Sequence, residues 1–343
     1  MDRMPEAPYD SLVVVSFGGP EAPDEVLPFL ENVLRGRNVP RARLLEVGEH
    51  YQAFGGKSPI NDQNRALIAA LKQELKPHGP DLPIYWGNRN WYPLLTDTIE
   101  QMREDGRRKS LAFFTSAYSS YSGCRQYREN IIAACSEVGP TAPVIHKIRA
   151  FYNHPGFIDP MIEHVRDAMS KIPPTGVNRT KIFFTAHSIP TSMADGCDYV
   201  VQLLEASRLV SEALKIKDYE LVYQSRSGPP QQPWLDPDIC DAISAVHERD
   251  KIEHVVIVPI GFISDHMEVL FDLDTEAKEL CESLGVQYVR AKTVGTHPDF
   301  ISMIRRLITE RTRGAARETL GCLGPRADFC PENCCPPPPA RRP

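Results

Sequence analysis

Two stretches of the 343-residue chain carry groups suited to handling a divalent metal ion and protons together. In FFTAHSIP a β-branched and aromatic run ends at His187, just before a Ser-Ile-Pro turn. An imidazole at that address titrates near neutral pH and can take a proton or ligate a metal; a histidine that only caps the turn shows the same pattern. In PIGFISDHMEVLFDLDTEAKEL, Glu268, Asp272 and Glu276 recur every four residues, which places them in one acidic row on a helix face. Like charges so spaced repel by about a few tenths of a kcal/mol per pair, so something should compensate them. A solvated face would hold such a row as readily. However, Met267, Val269, Leu270, Phe271 and Leu273 are interleaved with it and predict a largely buried helix. A buried acidic row calls for cations or protons passing along it, and oxygen donors with imidazole suit ferrous iron. A third group lies at the end of the chain, where Cys322, Cys330, Cys334 and Cys335 crowd together.

The elements that must position these groups show in the hydrophobic pattern. Eight short apolar runs, at 12–16, 82–86, 111–115, 144–148, 181–185, 220–224, 254–259 and 286–290, leave room for helices between them, the pattern of βα units and parallel sheets. A helix over 59–76 presents Ile60, Leu67, Ile68, Leu71 and Leu75 on one stripe. Four strands followed by four predict two similar α/β halves, 8–150 and 151–296, with the border near 150–155. A last helix within 297–315 carries Ile301, Ile304, Leu307 and Ile308 and packs back on the body; 316–343 is a Cys- and Pro-rich tail. That tail lacks the apolar content to fold alone and needs a metal or the main body to order it. Ligands of such folds bind beyond the carboxyl ends of the strands, the address of His187.

Composition narrows the function classes. A formal net charge of -6 excludes nucleic acid as the main partner, since phosphate recognition calls for a concentrated basic surface. No apolar run approaches the roughly 18 residues of a membrane span, and MDRMPEAPYD has no signal-like apolar core, so a cytoplasmic location is expected with no integral membrane segment. Nine cysteines without a secretory signal are better read as metal ligands than as a disulfide scaffold.

FTAHSIP with His187, YQSRSGPPQQPWLDPD around Trp234, and GFISDHMEVLFDLDTE with Glu268 resemble the signature segments of ferrochelatases. LVVVSFGGP near Phe17 and LRGRNVP through GGKSPI add to the likeness, which covers about residues 10–315. The resemblance implies a type II chelatase: an α/β fold of two Rossmann-like domains, each a four-stranded parallel sheet flanked by helices, with a porphyrin in the cleft between them. It also implies His187 and Glu268 as the catalytic pair facing the macrocycle from opposite sides, and His187, Glu268, Asp272 and Glu276 as the metal path. Metal insertion releases two pyrrole protons, so the site needs a base as well as a route for iron. The porphyrin contacts expected are Phe17, Arg35, Ser58, Tyr127, Trp234 and His266. Phe17 stands where the family often has Tyr; it cannot ligate iron and is read as a wall under the ring. Arg35, Arg37, Arg41 and Arg43 precede GGKSPI, and their planar forks match propionate carboxylates, although a solvated face has the same composition. This segment is polar where membrane-associated ferrochelatases have an apolar lip. That favours coproporphyrin III over protoporphyrin IX as substrate, giving coproheme in haem biosynthesis. A non-catalytic porphyrin carrier is the alternative class, and Asp272 and Glu276 favour catalysis, because a carrier needs no acidic row.

The tail pattern CLGPRADFCPENCCP resembles the cysteine-bearing C-terminal extensions of some ferrochelatases, actinobacterial ones included. It implies a [2Fe-2S] cluster held by the internal Cys124 of SYSGCRQY with Cys322, Cys330 and one of Cys334 and Cys335; zinc on four thiolates is the alternative. Cys135, Cys197, Cys240 and Cys281 are read as buried thiols. Ferrous iron is then a substrate, coproporphyrin III the organic partner, and the neighbouring enzymes of the pathway transient ones.

Overall fold

The structure, a computed structural model, describes residues 8–36, 39–228 and 231–338. Strands β1 (Ser11–Ser16), β2 (Ile84–Asn88), β3 (Lys109–Phe114) and β4 (Val144–Lys147) form one sheet in the order β2-β1-β3-β4. Strands β5 (Thr180–His187), β6 (Tyr219–Gln224), β7 (His254–Val258) and β8 (Gln287–Arg290) form a second in the order β6-β5-β7-β8. All six pairings are parallel. The expected class, two four-stranded parallel sheets flanked by helices, is the observed one, with shifted strand ends. Pro83 has no N–H to offer a ladder, so β2 begins at Ile84 rather than 82. β5 runs two residues past 185 because Ala186 and His187 still pair with Tyr223 and Gln224 of β6. His187 is therefore the last rung of a strand, not the first residue of a turn.

Parallel strands are buried on both faces, which is why they read as continuous apolar runs. Leu12, Val14, Leu111 and Phe113 of the first sheet share one core with Ile182, Phe184, Val256 and Val258 of the second. The helices Pro155–Met169 and Pro298–Arg313 supply Phe157, Met161, Phe300, Ile304 and Leu307 to it. The opposite faces, with Val13, Val15 and Phe114 or Phe183, Val255 and Ile257, pack on separate outer clusters.

The two halves are also tied by charge. Arg149, just beyond β4, makes a bidentate pair with Glu310 of the helix Pro298–Arg313 at 2.7 and 2.8 Å, with side chains only 1% and 2% exposed. Between 315 and 338 the chain lies against the body without regular structure, held by Leu320 N–H to the Asn153 carbonyl (2.8 Å), Arg149 to the Glu318 carbonyl (2.9 Å) and Arg326 to Asp198 (2.7 Å). Among the described residues no helix is long and apolar enough to cross a membrane.

Candidate active site

In each sheet the chain order reverses between the two central strands, and the crevice beyond their carboxyl ends is where such folds bind ligands. In the second sheet those strands are β5 and β7. β5 ends at His187, and β7 feeds the segment 259–268 that ends at Glu268. Gly261 is needed there: its N–H bonds the Thr185 carbonyl at 3.0 Å, and a Cβ would sit 2.6 Å from that of Ala186. The two side chains meet, His187 Nε2 to Glu268 Oε1 at 3.5 Å, with 33% and 46% of their surfaces still accessible, so they do not face a ring from opposite sides as expected: no macrocycle fits between atoms that close. His187 Nδ1–H donates to the Ser188 carbonyl, which leaves Nε2 for the site, and the Tyr199 hydroxyl donates to the His187 carbonyl at 3.1 Å. Burial opposes a charged imidazole here. The Glu268 carboxylate, the Ser188 carbonyl and Asp272 outweigh it, so His187 is a stronger base than an ordinary histidine. Burial likewise opposes the Glu268 charge, and His187 with His266 reverses that and holds it well below the usual carboxylate range. His266 Nδ1 stands 3.8 Å from the other Glu268 oxygen, and burial lowers its own basicity.

The acidic row continues from Glu268, but not on an α-helix. Residues Val269–Ala277 form a π-helix, the wider turn that recurs at functional sites. Two carbonyls at its start have side-chain donors: Gln224 Nε2 bonds the Glu268 carbonyl at 3.2 Å, and the Thr275 hydroxyl bonds that of Leu270 at 3.3 Å. Asp272 accepts from the Ser225 hydroxyl and from Gln224 Nε2 (3.2 Å). Burial, with Glu268 and Glu276 on either side, pushes its carboxyl up to about 7 despite those donors. Burial and Asp238 raise Glu276 as well, while Arg43 from the first half pulls it down. The like-charge repulsion expected of the row is thus eased where its middle member is driven toward its neutral form.

The first half closes on this helix. Gln63 brackets Asp265, donating Nε2 to its carbonyl at 2.5 Å and accepting its N–H at 2.8 Å. His50, on the helix Arg41–Ala53, stacks on Phe271 with ring centroids 3.8 Å apart and planes 11° from parallel. Arg290 anchors Asp265 and Asp274 from β8. None of Gln63, His50, Gln224, Ser225 or Arg290 was expected from the sequence; their partners lie far along the chain, and a polar residue in an ordinary helix or strand gives no local signal.

The other expected contacts fall in several environments. Phe17, 36% exposed beyond β1, has Arg89 over its ring at 5.8 Å. Ser58 is buried under the Gly18-Gly19 loop, its N–H on the Pro20 carbonyl at 2.9 Å. Tyr127 is only 5% exposed, packed on Phe114 beneath the Arg89 guanidinium, so its ring is core wall rather than open surface. Trp234 bridges to Pro190 and lines, with Ser188, Tyr223 and Arg226, a cavity of about 340 Å³ that adjoins the site. Arg35 is exposed, Arg41 and Arg43 pair with Glu31 (3.7 Å) and Glu46 (2.5 Å), and Arg37 lies outside the described residues.

A second constellation, all sulfur, lies where the tail crosses the first half. Cys124 sits in a π-helical turn, Tyr121–Arg125, after β3. Lys147 Nζ, at the end of β4, lies 3.5 Å from Cys124 Sγ, Cys330 is a close neighbour of both, and the Cys334 and Cys335 sulfurs are 3.4 Å apart. Such a donor set suits a thiolate-bound metal or an iron–sulfur cluster and gives nothing to hard cations. Cys322 is exposed. All nine cysteines are free thiols, with Cys281 and Cys335 buried.

Residues 9–312 match the Ferrochelatase family. A ferrochelatase of Rhodopirellula baltica is 59% identical over 98% of this chain and 95% of its own length. A coproporphyrin III ferrochelatase of Streptomyces coelicolor is 49% identical over the same shares, 98% and 95%. Among solved structures, SirB from Bacillus subtilis with Fe3+ superposes with a TM-score of 0.55 at 14% identity, over 89% of this chain and 96% of that one, a likeness of fold.

Proposed function

The chain belongs to the ferrochelatase family, and from that premise we propose that it inserts ferrous iron into coproporphyrin III to form coproheme, with His187 and Glu268 as the reacting pair. The observation that carries this reading is the 3.5 Å approach of His187 Nε2 to Glu268 at the switch point of the second sheet. Beside the Glu268 carboxylate the His187 imidazole holds its proton at neutral pH; an arriving cation that neutralises Glu268 would weaken that hold, so that His187 gives up its proton and its Nε2 is free to take one from a pyrrole. Glu268 stays anionic and opposes the 2+ charge of the arriving ion. Asp272, poised near neutrality, can take on a proton or yield one to a cation, so the row Glu268, Asp272, Glu276 serves iron inward and protons outward.

Coproporphyrin III is preferred over protoporphyrin IX because the first half offers a polar, Arg-bearing entrance, and several relatives bear that substrate in their names. Four propionates give the guanidinium groups more to hold than two do. A side-by-side anaerobic assay of the two porphyrins with ferrous iron tests this. A higher kcat/KM for coproporphyrin III is expected; equal or better use of protoporphyrin IX would overturn the preference, and no insertion into either would overturn the activity.

The thiol constellation supports a [2Fe-2S] cluster on Cys124 and the tail cysteines, which would cross-link the tail to the first half; zinc in its place would show in elemental analysis. Contact with the preceding and following enzymes of the pathway, and a cytoplasmic setting, belong to the same reading.

A further inference from the structure

We propose that Gln224 is a positioning residue for metal insertion: its side-chain amide ties Glu268 and Asp272 to the strand that pairs with His187, and so sets where the carboxylates stand relative to the imidazole. The proposal rests on the insertion reading above and adds a residue which that reading did not use. Gln224 is the last residue of β6 and the rung opposite His187 of β5. Its carbonyl accepts the Ser188 N–H at 2.8 Å, and the Ser188 carbonyl in turn accepts from His187 Nδ1–H. The backbone of Gln224 thus helps to fix the ring on which the site depends.

Its side chain reaches the other partner. Nε2 donates to the Glu268 carbonyl and to Asp272 Oδ2, both at 3.2 Å. Glu268 stands just before the π-helix Val269–Ala277 and Asp272 lies within it. One NH₂ group, with a proton for each acceptor, therefore spans the interval between the two carboxylates. Turning the amide end for end would set Oε1 against a carbonyl and a carboxylate, so chemistry settles its orientation. The next residue braces the clip. Ser225 takes a φ of +62°, the left-handed region that residues other than glycine rarely occupy, and its hydroxyl donates to the same Asp272 oxygen.

Gln224 is 1% exposed, and its Oε1 is buried with no hydrogen-bond partner among the described residues, so the amide is held by its donor end alone. Packing does not call for an amide here, since methionine has a similar length and fills such a space. What methionine lacks is the pair of protons that hold Glu268 and Asp272 in place. His187 Nε2 and Glu268 Oε1 stand 3.5 Å apart, and a misplacement of ~1 Å between reacting groups costs a rate by about 100-fold. A clip from the histidine's neighbouring strand to the start of the π-helix is what keeps that interval constant.

The test is anaerobic steady-state insertion by the full-length protein, by Gln224→Met and by Gln224→Asn, with KM measured separately for ferrous iron and for the porphyrin and with a thermal melt of each protein. Met keeps the bulk and loses the donors; Asn keeps the amide but is one methylene too short to span the two acceptors. Each variant should raise the iron KM and lower kcat, so that kcat/KM for iron falls about tenfold or more, while the porphyrin KM and the melting midpoint stay near the parent's. A parent-like iron KM and kcat in Gln224→Met, an equal rise of both KM values, or a loss of rate that only follows the unfolded fraction would overturn the proposal. Should Gln224→Met not fold, Gln224→Asn decides on the same criteria. A parent protein that inserts no iron would instead sink the reading on which the proposal stands.

Discussion

At the scale of the residue, each side chain of the site is set by its neighbours more than by its type. His187 is made a stronger base by Glu268, and Glu268 a stronger acid by His187, although burial pushes each the other way. Asp272, with the same functional group four residues along, is driven upward instead by burial, with carboxylates rather than a histidine for charged neighbours. From that difference, Asp272→Asn should raise the KM for ferrous iron several-fold and leave the KM for the porphyrin unchanged; an unaltered iron KM in steady-state assays would remove Asp272 from the metal route. The row was legible in the sequence because its spacing is local, whereas His187 and Glu268 were paired through the resemblance of the segments that carry them. Gln63 on Asp265 and His50 on Phe271 were not, since each pair joins residues some two hundred positions apart.

At the scale of the element, the i, i+4 row read as an α-helix is a π-helix over Val269–Ala277. Side chains at that spacing share a face in either form, so the pattern could not tell them apart; the donors that decide it, Gln224 and Thr275, act on backbone carbonyls. The helix Pro155–Met169 shows a second such local decision. His154 is fully buried and its Nδ1 accepts the Gly156 N–H at 3.0 Å, capping the helix as a neutral imidazole. Burial, with Arg306 and Arg149 facing it, lowers its pKa from 6.5 to about 3. The unfolded chain therefore binds a proton that the folded chain refuses. Stability from this group is complete above about pH 6.5 and is lost as pH falls toward 3, with a slope of up to ~1.4 kcal/mol per pH unit. His154→Asn, which keeps a capping oxygen, should flatten that part of the urea-midpoint profile between pH 6.5 and 5; a parallel profile would show that His154 does not carry it.

At the scale of the whole molecule, two halves that read as separate domains share one core and one terminal helix. The repeat of four strands was plain in the sequence, but the joint was not, because the terminal helix is amphipathic whichever half it serves. Arg149 and Glu310 make that joint specific, and truncating one partner leaves the other charge buried. Glu310→Ala should cost about 3–5 kcal/mol of stability, read in urea or thermal unfolding, whereas a surface pair such as Arg43–Glu46 should cost about 1 kcal/mol or less. A small effect at Glu310 would mean the halves are held by the apolar core alone. With the halves fixed, what remains is whether the His187–Glu268 pair of the second half performs the chemistry. The direct measurement is the anaerobic rate of ferrous iron insertion into coproporphyrin III by His187→Ala and Glu268→Gln beside the parent, with porphyrin binding followed separately by fluorescence. Insertion should fall by about 100-fold or more in each while binding persists; near-normal turnover in either variant would contradict the account.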